Sequence, residues 1–470
     1  MPKTKKSASL SGEAQLGGVE GASAKHSPNY VSAQPGDKMK ISCGSDEYIG
    51  VLLPEKAEGS AFTTIKLPSG YNIGISKGRI TSIEILEASH AQFAKATIVS
   101  SAKSPAGSAS SAKSSKEFLS LLACGGTIVN KIDYRTGAVY PATSPDELVA
   151  GIPGVKPGEI RAKMLFSIAS EDMTPQHWQK LAEATAAEIK DGAQGVILTH
   201  GTDTMSYTSA ALSFMLQNLP CPVVLTGSQR SSDRGSSDSQ TNLLSSVAAA
   251  RADLSGVFLC MHENMSDDTC ALHFGTKVRK MHTSRRDAFR SMNVFPAARI
   301  HPSSGKVEKI SKQSNPRNPS AKLSLDTKLN TNVAMHYTYP GMNPTMVSSL
   351  SKHDGVVLIG MGLGHIPVNL AGDRMCASIL PEVKELISSG IPVVLVSQTI
   401  YGRVDMNVYT NQRALLDAGV IGNMCDFTPE SAYAKLMWVL GREKKMDKVK
   451  KMMETNLVGE ISERSEIVNY

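Results

Sequence analysis

Leu121-Leu122-Ala123-Cys124-Gly125-Gly126-Thr127-Ile128 is an apolar run that ends in two glycines and at once presents a threonine hydroxyl. Further along, Leu198-Thr199-His200-Gly201-Thr202-Asp203-Thr204 repeats the arrangement. An open α/β sheet delivers reactive groups in this way, at the carboxyl ends of its parallel strands. Outward from these two segments, apolar runs predict strands at Phe118–Leu122, Gly195–Leu198, Val223–Leu225, Gly256–Leu259, Val356–Ile359 and Val393–Val396. Helical patterns separate them, over Gln176–Lys190, Met205–Gln217, Thr241–Arg251, Pro381–Ser389 and Glu430–Leu440. Thr174-Pro175 is a start signal, with a capping threonine and a proline at the first helical position. Strand–helix alternation of this length predicts mainly parallel sheets with helices on both faces. The polar segment Ile310–Thr331, with Asn315-Pro316 and Asn318-Pro319, interrupts the pattern. The expectation is therefore two consecutive α/β domains, 117–310 and 332–470, joined by a linker at 311–331.

The front of the chain reads differently. Residues 1–35 are rich in Ser, Ala, Gly and Lys without periodicity, and predict a disordered tail. Short strand-like runs then follow at Lys38–Ser42, Tyr48–Leu53, Phe62–Leu67 and Asn72–Ile75, punctuated by Gly36-Asp37, Gly44-Ser45-Asp46 and Ser69-Gly70. Strands this short and this closely spaced predict a small all-β barrel over 36–88. A Ser/Ala stretch without an acidic residue predicts a flexible linker over 89–116.

Composition bounds the function. A chain of 470 residues holds two or three domains, and 41% hydrophobic residues suits a packed core. No stretch approaches the roughly 18 uninterrupted apolar residues of a membrane span. Met1-Pro2-Lys3-Thr4-Lys5-Lys6-Ser7 has charge with no apolar segment behind it, unlike a secretory signal. The seven cysteines are odd in number and show no CxxC spacing, which argues against a disulfide framework or zinc site and for a reducing cytoplasm. The net charge of +7 is mild. Gly360-Met361-Gly362-Leu363-Gly364 lacks GxGxxG spacing, and there is no GxxxxGK[ST] loop, so no nucleotide cofactor is expected in this chain. His262-Glu263-Asn264 lacks the second histidine of a helical zinc motif, and no metal site is expected.

Threonine, aspartate and lysine together describe an amide-hydrolysing site with a hydroxyl nucleophile. Thr127 is the candidate nucleophile, on a turn where glycine lets the chain leave its strand sharply. Thr202 and Asp203 stand at a second strand end, where they equally suit a plain helix cap. Lys280, in Lys277-Val278-Arg279-Lys280-Met281-His282-Thr283, is the candidate base. A lysine that takes a proton must be neutral when it does so, which burial and nearby cations arrange. The alternative for this run, with Arg285, Arg286 and Arg290 close behind, is an anion-binding or solvated surface. Ser170-Glu171-Asp172 suits the charged ends of an amino acid, the carboxylate for an ammonium and the hydroxyl for a carboxylate. It equally suits a helix entry before Trp178. Cys124 reads as a buried, inert thiol.

These segments resemble the L-asparaginase/glutaminase family over residues 117–440. Gly125-Gly126-Thr127-Ile128, Tyr140 in Gly137-Ala138-Val139-Tyr140, Ser170-Glu171-Asp172-Met173, His200-Gly201-Thr202-Asp203-Thr204 and Lys280 carry the resemblance. It implies Thr127 as nucleophile with Tyr140 assisting, Thr202, Asp203 and Lys280 as a companion relay, and Ser170 and Glu171 as substrate-binding residues. The front barrel, ending Leu67-Pro68-Ser69-Gly70-Tyr71-Asn72-Ile73-Gly74-Ile75-Ser76, the run Lys277–Phe289 and the ending Asn456–Arg464 are similar to the branch formed by the D subunits of archaeal glutamyl-tRNA(Gln) amidotransferase. That branch implies a glutaminase component whose ammonia a partner, the E subunit of the same amidotransferase, uses with ATP and magnesium to amidate Glu-tRNA(Gln). It also implies tRNA held mostly by the partner, and self-association as a dimer within a heterotetramer. The competing readings are a free-standing cytoplasmic L-asparaginase and a non-catalytic tRNA-binding scaffold.

Overall fold

The computed structural model describes residues 33–34, 36–53, 61–67, 72–88, 118–132, 139–141, 144–150, 152, 154–231 and 237–465. The tail expected over 1–35 and the linker expected over 89–116 thus lie almost wholly outside the described residues. The chain divides into two compact units, which among the described residues are 33–88 and 118–465.

In the first unit, Lys38-Met39-Lys40-Ile41-Ser42-Cys43 alternates polar and apolar residues, so every second side chain enters a core of Met39, Ile41, Cys43, Ile65, Ile75 and Ile80. The small all-β module is a five-stranded antiparallel sheet in the order Asn72–Ser76, Phe62–Lys66, Asp46–Leu52, Lys38–Cys43, Ser82–Glu87. The last strand is absent from the sequence reading. Its partner is the first strand, and most of its side chains face outward.

The second unit is built on an eight-stranded sheet. Its strands lie in the order Lys306–Lys309, Ala298–His301, Cys270–Phe274, Gly256–His262, Pro222–Thr226, Ala193–Thr199, Phe118–Gly125, Ile160–Ile168. The five from Gly256–His262 to Ile160–Ile168 are parallel, and the other three add antiparallel pairs at one edge. Parallel strands buried on both faces need continuous apolar sequence, which Phe118–Gly125 and Pro222–Thr226 supply: every residue in both is buried. A three-stranded parallel sheet, Val333–Tyr337, Gly355–Gly360 and Val393–Ser397, follows.

One apolar core runs through both sheets of this unit. Its centre is the contact of two helices, Met205–Met215 and Pro429–Leu440, buried on nearly every side. Tyr207 meets Tyr433 edge-on with ring centres 6.2 Å apart, and Phe214 lies 6.3 Å from Trp438. The first helix stops at Met215, two residues short of the expected Gln217. Leu216 and Gln217 turn out to pair with Leu325 and Ser324, inside the segment read as a linker, so a tertiary ladder overrides helix propensity there. Helix Pro175–Lys190 opens with a capping box between Thr174 and His177.

Candidate functional site

Four adjacent parallel strands end on one side of the sheet, and their exits enclose a cavity of 500 Å³. Gly125 closes the first strand and Gly126 and Thr127 follow it, while Ser167 to Glu171 span the end of its neighbour. Gly201, Thr202 and Asp203 follow the third, and Gln229, Arg230 and Ser231 the fourth. The glycines allow this convergence. Gly125 and Gly126 have φ of +90° and +83°. A Cβ on Gly126 would stand 2.5 Å from Gly201 N, and one on Gly125 2.5 Å from Ile168 O. Backbone packs on backbone where side chains would hold the strand ends apart. The ladder to Ile160–Ile168 also shifts register between Ala123 and Gly125, a local irregularity of the kind that re-aims a strand end. Thr127 then opens a 3-10 turn, Thr127–Val129, at the cavity.

Lys280 ends the short strand Val278–Lys280, paired with Phe289–Ser291. Its Nζ donates to Thr202 Oγ1 at 2.9 Å and to Asp203 Oδ1 at 2.7 Å. Since Thr202 Oγ1 accepts from Lys280 Nζ, its own proton is left to donate elsewhere, and polarisation strengthens it as a donor. Neither Thr202 nor Asp203 caps the following helix: the cap position is Thr204, whose hydroxyl donates to Ser170 O at 2.7 Å. Ser170 is buried and Glu171 exposed, both on the cavity wall in the turn Ser170–Asp172. Helix entry there belongs to Thr174 instead. Tyr140 stands in the strand Val139–Pro141 opposite Lys131, and its side chain lies outside the described residues.

The basic run is not a free cationic surface. Lys277 pairs with Asp426 at 2.8 Å, Arg279 with Glu430 at 3.4 Å, and Arg286 with Asp267 at 2.8 Å. Arg285 and Arg290 share the buried carboxylate of Asp287. Burial pushes the Cys124 thiol up to about 12, which leaves it un-ionised beside the Gly125-Gly126-Thr127 turn. Burial likewise lowers His200 to about 4, opposed by its bond to Gly201 O. The neutral ring bonds Gly201 O through Nδ1 at 2.7 Å and Thr208 through Nε2 at 2.9 Å, so it braces the turn that carries Thr202.

The sequence reading did not include Gln229, Arg230 and Ser231. The signal was present: Val223-Val224-Leu225-Thr226-Gly227-Ser228 is a third apolar run ending in glycine and a hydroxyl.

Comparison with known proteins bears on this geometry. Residues 119–314 match the family Asparaginase, N-terminal, and 332–453 the Glutaminase/Asparaginase C-terminal domain. Residues 33–86 match the GatD N-terminal domain. The D subunit of the glutamyl-tRNA(Gln) amidotransferase of Pyrococcus furiosus is 44% identical, with 92% of this chain and 93% of that protein covered. The chain belongs to the family of glutamyl-tRNA(Gln) amidotransferase D subunits. The D subunit from Methanothermobacter thermautotrophicus is 42% identical over 94% of this chain and 97% of its own length. A thermostable L-asparaginase from Thermococcus kodakarensis superposes with a TM-score of 0.64 at 33% identity. It covers 74% of this chain and 99% of its own. L-asparaginase I from Vibrio cholerae gives 0.62 at 30% identity, with the same coverage. The D-subunit family thus has the asparaginase body plus the front module. Among the described residues, no group of His, Cys, Asp or Glu could hold a metal ion, and no helix is long and apolar enough to cross a membrane.

Proposed function

We propose that this chain is the glutaminase component of a tRNA-dependent amidotransferase, with Thr127 as its nucleophile. The Thr127 oxygen attacks the carboxamide carbon of glutamine, and the tetrahedral intermediate collapses with loss of ammonia. Water then cleaves the glutamyl ester, so glutamine and water give glutamate and ammonia. Lys280, Thr202 and Asp203 move protons between nucleophile, leaving group and water. Ser170 and Glu171 receive the α-carboxylate and α-ammonium. Backbone amides of the Gly125-Gly126 turn stabilise the oxyanion, a contribution of typically ~3 kcal/mol per donor. Tyr140 assists Thr127.

One observation carries this reading: Lys280 Nζ bridges Thr202 and Asp203 at the cavity that Thr127 also lines. The D-subunit relatives support the rest of the reaction. The ammonia passes to a partner, the E subunit of the amidotransferase, which activates Glu-tRNA(Gln) with ATP and magnesium and holds most of the tRNA. This chain dimerises within a heterotetramer in the cytoplasm, and its front module, residues 36–88, couples it to the partner. A tRNA-binding scaffold is disfavoured because the basic run is internally paired. A free asparaginase is disfavoured because it has no use for the front module.

The decisive experiment is Thr127→Ala in the assembled enzyme. Ammonia release from glutamine should vanish while supplied ammonium still supports amidation of Glu-tRNA(Gln). Near-normal glutaminase activity in that variant would reject the nucleophile.

A further inference from the structure

The fourth wall of the cavity is held from behind by side chains that the chemistry above does not use. Asp238, fully buried, stands just before helix Ser239–Arg251. Its carboxylate accepts the backbone N–H of Gln229 at 3.0 Å on either oxygen, and that of Arg230 at 3.1 Å. Asn242, one turn into the helix, donates through Nδ2 to Asp238 Oδ2 and to Gly227 O, each at 3.0 Å. With Nδ2 committed to two acceptors, Asn242 Oδ1 can only accept, so His262 Nδ1 donates to it at 2.6 Å. His262 Nε2 meets Asp267 Oδ1 at 2.9 Å, and Arg286 holds the same carboxylate oxygen at 2.8 Å.

These five side chains form an unbroken path. It begins at Arg286, in the turn between the two strands of the Lys280 hairpin, and ends on the backbone of residues 227–230. The wall it holds abuts the reacting groups: a Cβ on Gly227 would stand 2.4 Å from His200 O and 3.3 Å from Thr202 Cγ2. Gln229 and Ser231 line the cavity, and Gln229 Nε2 and Ser231 Oγ are buried with no partner among the described residues. A buried polar group left unpaired costs about 1–3 kcal/mol, which a polar ligand in the cavity would recover.

We propose, on the basis of the glutaminase reading, that Asp238, Asn242 and His262 are positioning residues for the Gln229–Ser231 wall, and that Gln229 and Ser231 are further substrate-binding residues. Loosening the wall leaves Thr127 and Lys280 in place but removes the polar surface against which glutamine is ordered. Substrate binding then weakens more than the chemical step.

The test measures glutamine-dependent ammonia release by the full chain with its partner. Asp238→Asn replaces one acceptor oxygen with a donor amide that faces the N–H groups the carboxylate accepts. His262→Gln keeps a donor where Nε2 stands but loses the bond to Asn242, whereas His262→Asn keeps the donor where Nδ1 stands. Asp238→Asn and His262→Gln should raise KM by about 10-fold or more with kcat nearly kept, and His262→Asn should restore KM to within about threefold of the parent. If Asp238→Asn does not fold, the two His262 variants carry the test alone. An unchanged KM in His262→Gln overturns the proposal. So does equal behaviour of the two His262 variants, or a fall in kcat that follows a lowered melting temperature at constant KM. The parent chain and Thr127→Ala run alongside separate the two ideas: no glutamine-dependent ammonia release by the parent sinks the glutaminase reading, and near-normal release by Thr127→Ala rejects its nucleophile, whatever the wall does to KM.

Discussion

At the scale of single residues, the position of Lys280 is set by its neighbours in sequence. Successive side chains on a strand point to opposite faces. Lys277 and Arg279 therefore reach Asp426 and Glu430 on one side, while Val278 enters the core and Lys280 meets Thr202 and Asp203 on the other. Lys280→Met leaves those anchors intact, so the fold should persist. Turnover of glutamine should fall about 100–10,000-fold, the usual cost of losing a proton-transfer group. Unchanged turnover would return Lys280 to an ordinary surface role. Two histidines give a pH prediction. Burial lowers His200 to about 4 and His273 to about 3; Arg290 adds to the shift at His273. Below their ordinary value near 6.5 the unfolded chain binds protons that the native one refuses, so stability falls as pH drops from 6.5 toward 4 and then 3. Each should remove roughly 3 kcal/mol or more across that window. Urea midpoints at pH 7 and pH 4.5 would show it, and His273→Asn should flatten the loss. An equally steep loss in that variant would assign the acid sensitivity to other groups.

At the scale of elements, the site exists because four strand exits come closer than side chains allow. Gly126→Ala tests this directly, since the added Cβ meets backbone 2.5 Å away and the φ of +83° is unfavourable for an L-residue. The backbone conformation alone costs about 1–2 kcal/mol, and displacing the strand ends by about 1 Å can cost 100-fold in rate. Ammonia release should collapse with a lowered melting temperature, and wild-type kinetics in the variant would mean the exits have room to move. This dependence on glycine is also why so much of the site was legible in the sequence. An apolar run, glycine, then a hydroxyl is a local pattern, and Thr127, Thr202 and the strands beneath them could be read from it. What stayed hidden depends on partners far along the chain. Lys277 and Arg279 looked like a charged surface because Asp426 and Glu430 lie about 150 residues away in sequence. Asp238 and Asn242 look like ordinary polar helix residues until the hydrogen bonds to 227–230 appear. The edge strands Cys270–Phe274, Ala298–His301 and Lys306–Lys309 are short, and the outermost is exposed, so they carry no continuous apolar signal. The same holds for Ser82–Glu87.

At the scale of the whole molecule, buried ion pairs tie the end of the chain to the catalytic body. Lys435 and Glu460 are both fully buried and 2.5 Å apart. Lys435 also donates to Met453 O and Thr455 O, and Glu460 accepts the N–H groups of Leu457 and Val458. Asp426 takes the N–H of Ser462 at 2.9 Å as well as Lys277. Burial is the main cause that lowers both lysines, with Arg403 adding to it at Lys277, and the paired carboxylates oppose it. Removing one partner strands a charge in the core, so Glu460→Ala should cost about 3–5 kcal/mol in a urea titration. A midpoint within error of the parent would mean water reaches Lys435. The front module stands in a different relation to the body. It is a separate compact unit with its own core, and the first strand of the large sheet begins only at Phe118. L-asparaginases that match 99% of their own length cover only 74% of this chain, so a body of this fold is viable without such a module. Deleting residues 1–116 should therefore leave ammonia release from glutamine intact to within a fewfold. It should sharply reduce glutamine-supported amidation of Glu-tRNA(Gln) when the chain is mixed with its amidotransferase partner and charged tRNA, because the deletion removes the proposed coupling element and spares Thr127, Thr202, Asp203 and Lys280. The comparison is of product yield from truncated and full-length chains at equal glutaminase activity. Equal yields would take coupling away from the front module and place it in the body.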